Sequence, residues 1–149
     1  MADYLEYTLD KFTFKVATDC LYSPAGVWAR EEGERIIVGV SDFLGQRSGD
    51  VAFADVVPVG TVVTAGDELA ALETIKVDIE LPAPVSGAVV AVNEKLEMEA
   101  EVINLDPYGE GWLAIIEASD WLVDQAQLLT PQAYFEHMVA EAEEEAKDL

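Results

Sequence analysis

The sequence predicts a mainly β protein, a small sandwich or barrel with short helices and one C-terminal helix. Three observations carry this. From Pro58 to Trp112, brief Val-rich runs alternate with Gly, Asn and Pro turns at close spacing, a rhythm of sandwiches and barrels and not of βαβ units. Residues 60–69 (G-T-V-V-T-A-G-D-E-L) and 87–96 (G-A-V-V-A-V-N-E-K-L) repeat at a constant offset of 27 residues. Gly60 then aligns with Gly87, Val62 with Val89, Val63 with Val90 and Leu69 with Leu96. Such a duplicated strand–turn–strand unit predicts a quasi-symmetric sandwich whose joining segment is a hairpin of its own. Beyond residue 129 the apolar residues change to helical spacing.

The elements follow in order. Residues 12–16 (F-T-F-K-V) and 35–40 (R-I-I-V-G-V) are β-branched or aromatic runs bounded by Gly and polar residues, hence strands. Ser41 and Asp42 open a short helix, D-F-L-G-Q-R, which gives way to Gly49 and a further strand, V-A-F-A-D-V-V. Asp106 to Trp112 reads as a turn set by Pro107, with Gly109 and Gly111 permitting positive φ and with Tyr108 and Trp112 packing the sandwich edge. Thr130 is a good N-cap and Pro131 a good first helical residue. Phe135, Met138, Val139, Ala142 and Ala146 form one helical face, and Glu136, Glu141, Glu143, Glu144 and Glu145 the other. An amphipathic helix packed on the body, ending in a solvated acidic tail, is the expectation.

Composition narrows function. A chain of 149 residues with 51% hydrophobic residues suits one domain with a real core. Eight Lys+Arg against 30 Asp+Glu give a net charge of −22, which opposes binding to nucleic acid or to an anionic membrane and favours partners with basic faces. Cys20 is the single cysteine and His137 the single histidine. Internal disulfides, Cys/His zinc sites and histidine-dependent nucleophile systems are therefore not expected. Cys20 is read as an inert thiol, and His137 as structural or solvent-facing. The opening M-A-D-Y-L-E-Y lacks a basic patch followed by an apolar stretch, and no apolar run reaches membrane-spanning length. A cytoplasmic protein without catalytic residues of its own is expected.

One residue stands out. Lys76 lies in A-A-L-E-T-I-K-V-D-I-E-L-P-A-P, flanked directly by Ile75 and Val77. A solvated strand lysine usually has polar neighbours. At a hairpin tip the pattern makes sense, with the flanking residues folded back into the sheet and the ammonium projecting. Spacing alone also admits an ordinary exposed strand lysine.

The stretch resembles the attachment hairpin of the biotinyl/lipoyl family, specifically that of glycine-cleavage H proteins. The resemblance covers roughly residues 22–135: V-G-V-S-D-F at 38–43, Gly49-Asp50, V-G-T at 59–61, E-T-I-K at 73–76, P-V-S-G at 84–87, V-V-A-V-N at 89–93 and D-P-Y-G-E-G-W at 106–112. It implies a flattened antiparallel β-sandwich, the lipoyl/biotinyl barrel-sandwich hybrid. A carrier domain would span residues 22–128, with an N-terminal extension at 1–21 and a C-terminal helix with acidic tail at 129–149. It further implies that Lys76 carries lipoate in amide linkage, that a lipoate ligase or lipoyl transferase reads Glu73, and that Trp28 and Glu80 belong to the arm's cleft. A tethered arm lets one carrier visit several active sites without releasing its cargo. Biotin is disfavoured, because biotinyl lysines usually sit between methionines.

Two departures bear on the cargo. Where H proteins read S-H-E-W this chain reads Ala25, Gly26, Val27, Trp28, and after the lysine it reads Val77, Asp78, Ile79, Glu80. A cationic methylamine wants carboxylate and hydroxyl partners. Three features resemble instead the lipoate-binding proteins of heterodisulfide-reductase-like sulfur oxidation: E-T-I-K-V, the stretch from Tyr22 to Trp28, and Y-F-E-H-M at 134–138. The expectation is accordingly a shuttle of sulfur-containing intermediates, with heterodisulfide-reductase-like subunits and sulfurtransferases as partners. The alternative is the aminomethyl carrier of the glycine cleavage system, serving glycine cleavage enzymes.

Overall fold

The computed structural model describes residues 3–147. Along the chain run β1 (Tyr4–Leu9), β2 (Phe12–Ala17), β3 (Leu21–Tyr22), β4 (Val27–Glu32), β5 (Arg35–Val40), α1 (Asp42–Ser48) and β6 (Val51–Val56). Then come β7 (Val62–Val63), β8 (Glu68–Thr74), β9 (Asp78–Pro82), β10 (Gly87–Val92) and a 3₁₀ turn (Glu94–Glu97). The chain finishes with α2 (Val102–Leu105), β11 (Ala114–Ala118), α3 (Trp121–Gln125) and α4 (Pro131–Lys147). The predicted strands at 12–16 and 35–40, the Ser41-capped helix and the Pro131-initiated helix are all present.

Strand pairing is antiparallel throughout. A six-stranded sheet in the order β3-β4-β5-β11-β10-β7 faces a three-stranded sheet, β6-β8-β9. Between them Ile36, Val38, Leu69, Leu72, Leu81, Val85, Leu113 and Ile116 make the main core. This is the expected flattened sandwich. A second core gathers Phe14, Val16, Tyr22, Trp28, Phe43, Tyr134 and Met138 beneath the β1–β2 hairpin and α4.

That second core shifts the helix's buried stripe. Tyr134, Met138 and Ala142 are the buried residues of α4, while Phe135 and Val139 are partly buried and packed against the same cluster. Tyr134 was not on the predicted face. It can go under because its hydroxyl meets the buried Ser41 Oγ at 2.8 Å and its ring stacks on Tyr22 at 4.4 Å, so burial leaves no unpaired polar atom.

Two expectations need correcting. The sequence repeat is only half a structural repeat. The first copy gives β7 and the start of β8, but the second gives β10 and then a 3₁₀ turn instead of a strand. Asn93 diverts the chain there. Its Oδ1 accepts the Lys95 amide at 3.1 Å, and its Nδ2 donates to the Glu110 and Trp112 carbonyls at 2.7 and 2.8 Å. Nor do Gly109 and Gly111 adopt positive φ. They are small for lack of room: a Cβ on Gly109 would lie 2.4 Å from the Asp106 carboxylate, and one on Gly111 2.6 Å from the Val102 carbonyl.

Candidate functional site

The site is the turn joining β8 to β9. Glu73 opposite Asp78 is the last register pair, and Thr74 closes the turn through its amide, which donates to the Val77 carbonyl at 2.9 Å. The Thr74 hydroxyl, largely buried, organises the rest. It accepts from the Lys76 and Val77 amides at 3.2 and 3.0 Å. Its one proton can be donated to the Ser48 carbonyl at 2.7 Å or to that of Val77 at 2.8 Å. A threonine at this point therefore serves as a local backbone clamp.

The tip is also strapped to the loop after α1. The Ile75 amide donates to the Asp50 carbonyl at 3.2 Å. Gly49, with φ +94°, ends α1 in a conformation that suits glycine. A Cβ there would come within 3.3 Å of Ile75 Cγ1 and 3.5 Å of Lys76 Cγ. Asn104 holds this loop from below: its Nδ2 donates to the Gly49 and Gly45 carbonyls at 3.0 and 3.3 Å, and its Oδ1 accepts the Val51 amide at 2.9 Å. Sequence reasoning missed both Thr74 and Asn104. A polar β-branched residue just before the tip was a visible signal for the first, whereas nothing local marks the second.

On this rigid base Lys76 is exposed. No carboxylate among the described residues pairs with it within ion-pair distance. The flanking residues do not fold back into the sheet as expected. Ile75 is 75% exposed and Val77 47% exposed, because residues 75–77 lie beyond the last register pair, where there is no sheet face to cover them. They leave apolar shoulders on either side of the amine. An exposed primary amine with no ion pair among the described residues, presented on a fixed turn, is a group that a partner enzyme can acylate. Such a site fits a covalently attached acyl cofactor.

Glu73 and Glu80 both lie on the outer face of the small sheet. With Asp55, Asp78 and the 66%-exposed Phe53 they line an acidic trough of about 560 Å³. Glu80 also borders a second cleft of about 340 Å³, formed with Ala25, Leu44, Arg47, Ser48, Val77 and Ile79. Trp28 does not line it. Its side chain is fully buried, and its indole N–H is shared between the carbonyls of Val40 at 3.1 Å and Pro107 at 3.0 Å. Its place is in the core, and the cleft assignment gives way to that. Where H proteins have a carboxylate, Val27 is likewise buried.

The other singled-out residues lie away from the tip. His137 sits on α4 with Nε2 2.8 Å from the Glu141 carboxylate. Cys20 is buried beneath the N-terminal hairpin. Burial pushes its thiol well above the ordinary range, and the neighbouring Asp19 carboxylate adds to the effect. The native protein is thus expected to resist iodoacetamide at pH 8 and to react fully once unfolded, as thiol counting by mass will read. Rapid alkylation of the native chain would contradict the buried placement. Among the described residues no cluster of three or more His, Cys, Asp and Glu side chains is arranged to hold a metal ion. No helix among them is long and apolar enough to cross a membrane.

Comparison with known proteins bears on the cargo. The family model described as glycine cleavage H-protein matches residues 20–141. The glycine cleavage system H protein of Coprothermobacter proteolyticus is 44% identical over 107 residues, covering 71% of this chain and 84% of that protein. That of Thermus thermophilus is 36% identical over 127 residues, covering 85% of this chain and 98% of the relative. The crystal structure of a glycine cleavage system H protein from Mycobacterium marinum superposes with a TM-score of 0.71 at 29% identity, over 78% of this chain and 94% of that one. These findings overturn the expected sulfur shuttle, and the heterodisulfide-reductase-like partners inferred with it are set aside. The motifs behind that expectation are short, whereas the H-protein match runs through nearly the whole sandwich. A TM-score of 0.71 and a family match that takes in both sheets and most of α4 lead to one conclusion: the chain belongs to the glycine-cleavage H-protein family.

Proposed function

We propose that Lys76 is the lipoate-bearing lysine and that the protein is the mobile-arm carrier of a glycine cleavage system, working in the cytoplasm. Proteins of this family are carriers and not enzymes, and they hold lipoate covalently on a lysine. The observation that carries the reading is the exposed Lys76 amine, without an ion pair among the described residues, on a turn clamped by Thr74. When attached, lipoate supplies a dithiolane at the end of a long arm that can accept and yield an aminomethyl group. The chain's own residues do the rest. The Thr74 clamp fixes the direction in which the arm leaves. Glu73, with Asp55 and Asp78, offers an acidic face to a lipoate ligase or lipoyl transferase, and glycine cleavage enzymes are the partners the arm serves. Glu80 gives the cleft beside the tip its carboxylate. With Ala25 where a serine would stand in that cleft, an amine cargo is held there more weakly, by about 1–3 kcal/mol for the charge-assisted bond lost.

The test is exchange of labelled bicarbonate into glycine by glycine decarboxylase, with this protein lipoylated as the acceptor. Exchange that depends on the lipoylated chain is expected. A chain shown by mass to carry lipoate on Lys76, yet inert with a decarboxylase that works on another H protein, overturns the glycine reading.

A further inference from the structure

The β1–β2 hairpin precedes residue 20, where the family match begins, yet it builds one wall of a groove that ends at Lys76. Leu9, Phe12 and Phe14 from the hairpin face Phe43 of α1 and Ala142 and Ala146 of α4 around a space of about 330 Å³. Lys76 lines this groove but neither the acidic trough nor the Glu80 cleft. Its stem, packed over Gly49 at the end of α1, therefore starts at the groove's mouth.

We propose that the acyl arm on Lys76 rests in this groove, a parking site separate from the Glu80 cleft. The inference depends on the reading of Lys76 as the attachment lysine. Three features specify the guest. The walls are mostly apolar, with Asp10 and Gln46 among them, and partly open: Phe14 meets Phe43 edge-to-face at 5.2 Å, while Phe12, stacked on Phe14 at 6.3 Å, is left 49% exposed. Covering such a surface is favourable for any apolar guest. The rim cation is already spent, since Arg47 lies over the Phe43 ring at 5.5 Å and is paired with Glu141 at 2.8 Å and Glu145 at 2.6 Å. An anionic guest therefore finds no free cation among the lining residues other than Lys76 itself, and Asp10 is the lining carboxylate left without an ion pair among the described residues. Attachment also neutralises the lysine, leaving an uncharged aliphatic chain tethered at the mouth, where tethering gives it a millimolar-scale local concentration. A weak groove then suffices to hold the arm between partners and to release it to one that binds it better.

Two armed proteins test this. One is the full chain lipoylated by a lipoate ligase, with modification of Lys76 verified by peptide mass. The other is Lys76→Cys alkylated under native conditions with N-octyl iodoacetamide, which spares the buried Cys20 and installs an apolar arm whatever the ligase does. In both, the aromatic NMR signals of Phe12, Phe14 and Phe43 are expected to shift. Amide exchange across Tyr7–Phe14 is expected to slow about tenfold relative to the arm-free chain. Phe12→Ala, a change at an exposed ring, should remove both effects, and Phe53→Ala, on the acidic trough, neither. Shifts confined to Leu44, Val77 and Ile79, to Phe53, or to the turn itself would overturn the groove. Failure of the ligase to modify Lys76 counts against the proposed function alone, and the octyl-armed chain then decides the groove.

Discussion

Lys76→Arg is expected to abolish lipoylation and to leave the fold intact. Arginine keeps the charge and most of the stem, but its guanidinium stays protonated and is not acylated under conditions that modify an amine. Lys76 makes no ion pair among the described residues and its side chain reaches solvent, so the change in stability should stay within about 0.5 kcal/mol. Mass analysis after ligase treatment should show an unmodified variant, and calorimetry should show an unaltered melting transition. The competing acceptors are differently placed. Lys95 is ion-paired with Glu110 at 2.9 Å, Lys15 lies 3.9 Å from Glu6, Lys11 lies 5.8 Å over the Phe12 ring and Lys147 ends α4. A lipoyl mass on any of these in the variant, or loss of folding, would refute the assignment. The result separates a carrier lysine from a structural one, because a structural lysine would lose stability and a carrier lysine loses only its modification.

Residues whose signal is local were legible in the sequence. Val-rich runs between Gly and Pro predicted the strands, and Ser41, Thr130 and Pro131 predicted helix starts because capping chemistry involves only three or four neighbouring residues. Lys76 was legible through the resemblance of E-T-I-K and its companion motifs to an attachment hairpin; its apolar neighbours alone admitted an ordinary exposed lysine, and both of them are in fact exposed. Long-range pairings were not legible. Tyr134 buries because its hydroxyl is hydrogen-bonded to that of Ser41, 93 residues away. Asn104 holds a loop 55 residues upstream, and Trp28 is tied to Pro107 across 79 residues. The repeat misled because equal Val and Gly spacing does not report what Asn93 does with its amide. The cargo expectation failed for a related reason: a few substitutions beside Lys76 weigh less than a match running through the whole sandwich. The groove under β1–β2 had no sequence signal, since its walls come from three separated segments.

Thr74→Val is expected to lower both stability and modification, and the two losses can be told apart. Valine fills the same volume, so packing against the sandwich is kept. What disappears is the hydroxyl that accepts from the Lys76 and Val77 amides and reaches the Ser48 carbonyl at 2.7 Å. Ser48 is buried, and a buried carbonyl deprived of its partner costs about 1–3 kcal/mol. A loss near 2 kcal/mol in denaturant unfolding is the expected result. The released turn samples more conformations, and a ligase that reads a fixed hairpin must order it before reaction. About 1.4 kcal/mol of such ordering lowers the ligase's kcat/KM about tenfold. Thr74→Ser, which restores the hydroxyl and removes only a methyl, should recover most of the modification rate while keeping part of the stability loss. If Thr74→Val were to lose stability while being lipoylated at the wild-type rate, Thr74 would be a fold residue with no part in presenting Lys76. Recovery by serine makes the hydroxyl, and not the packing, the element that aims the arm.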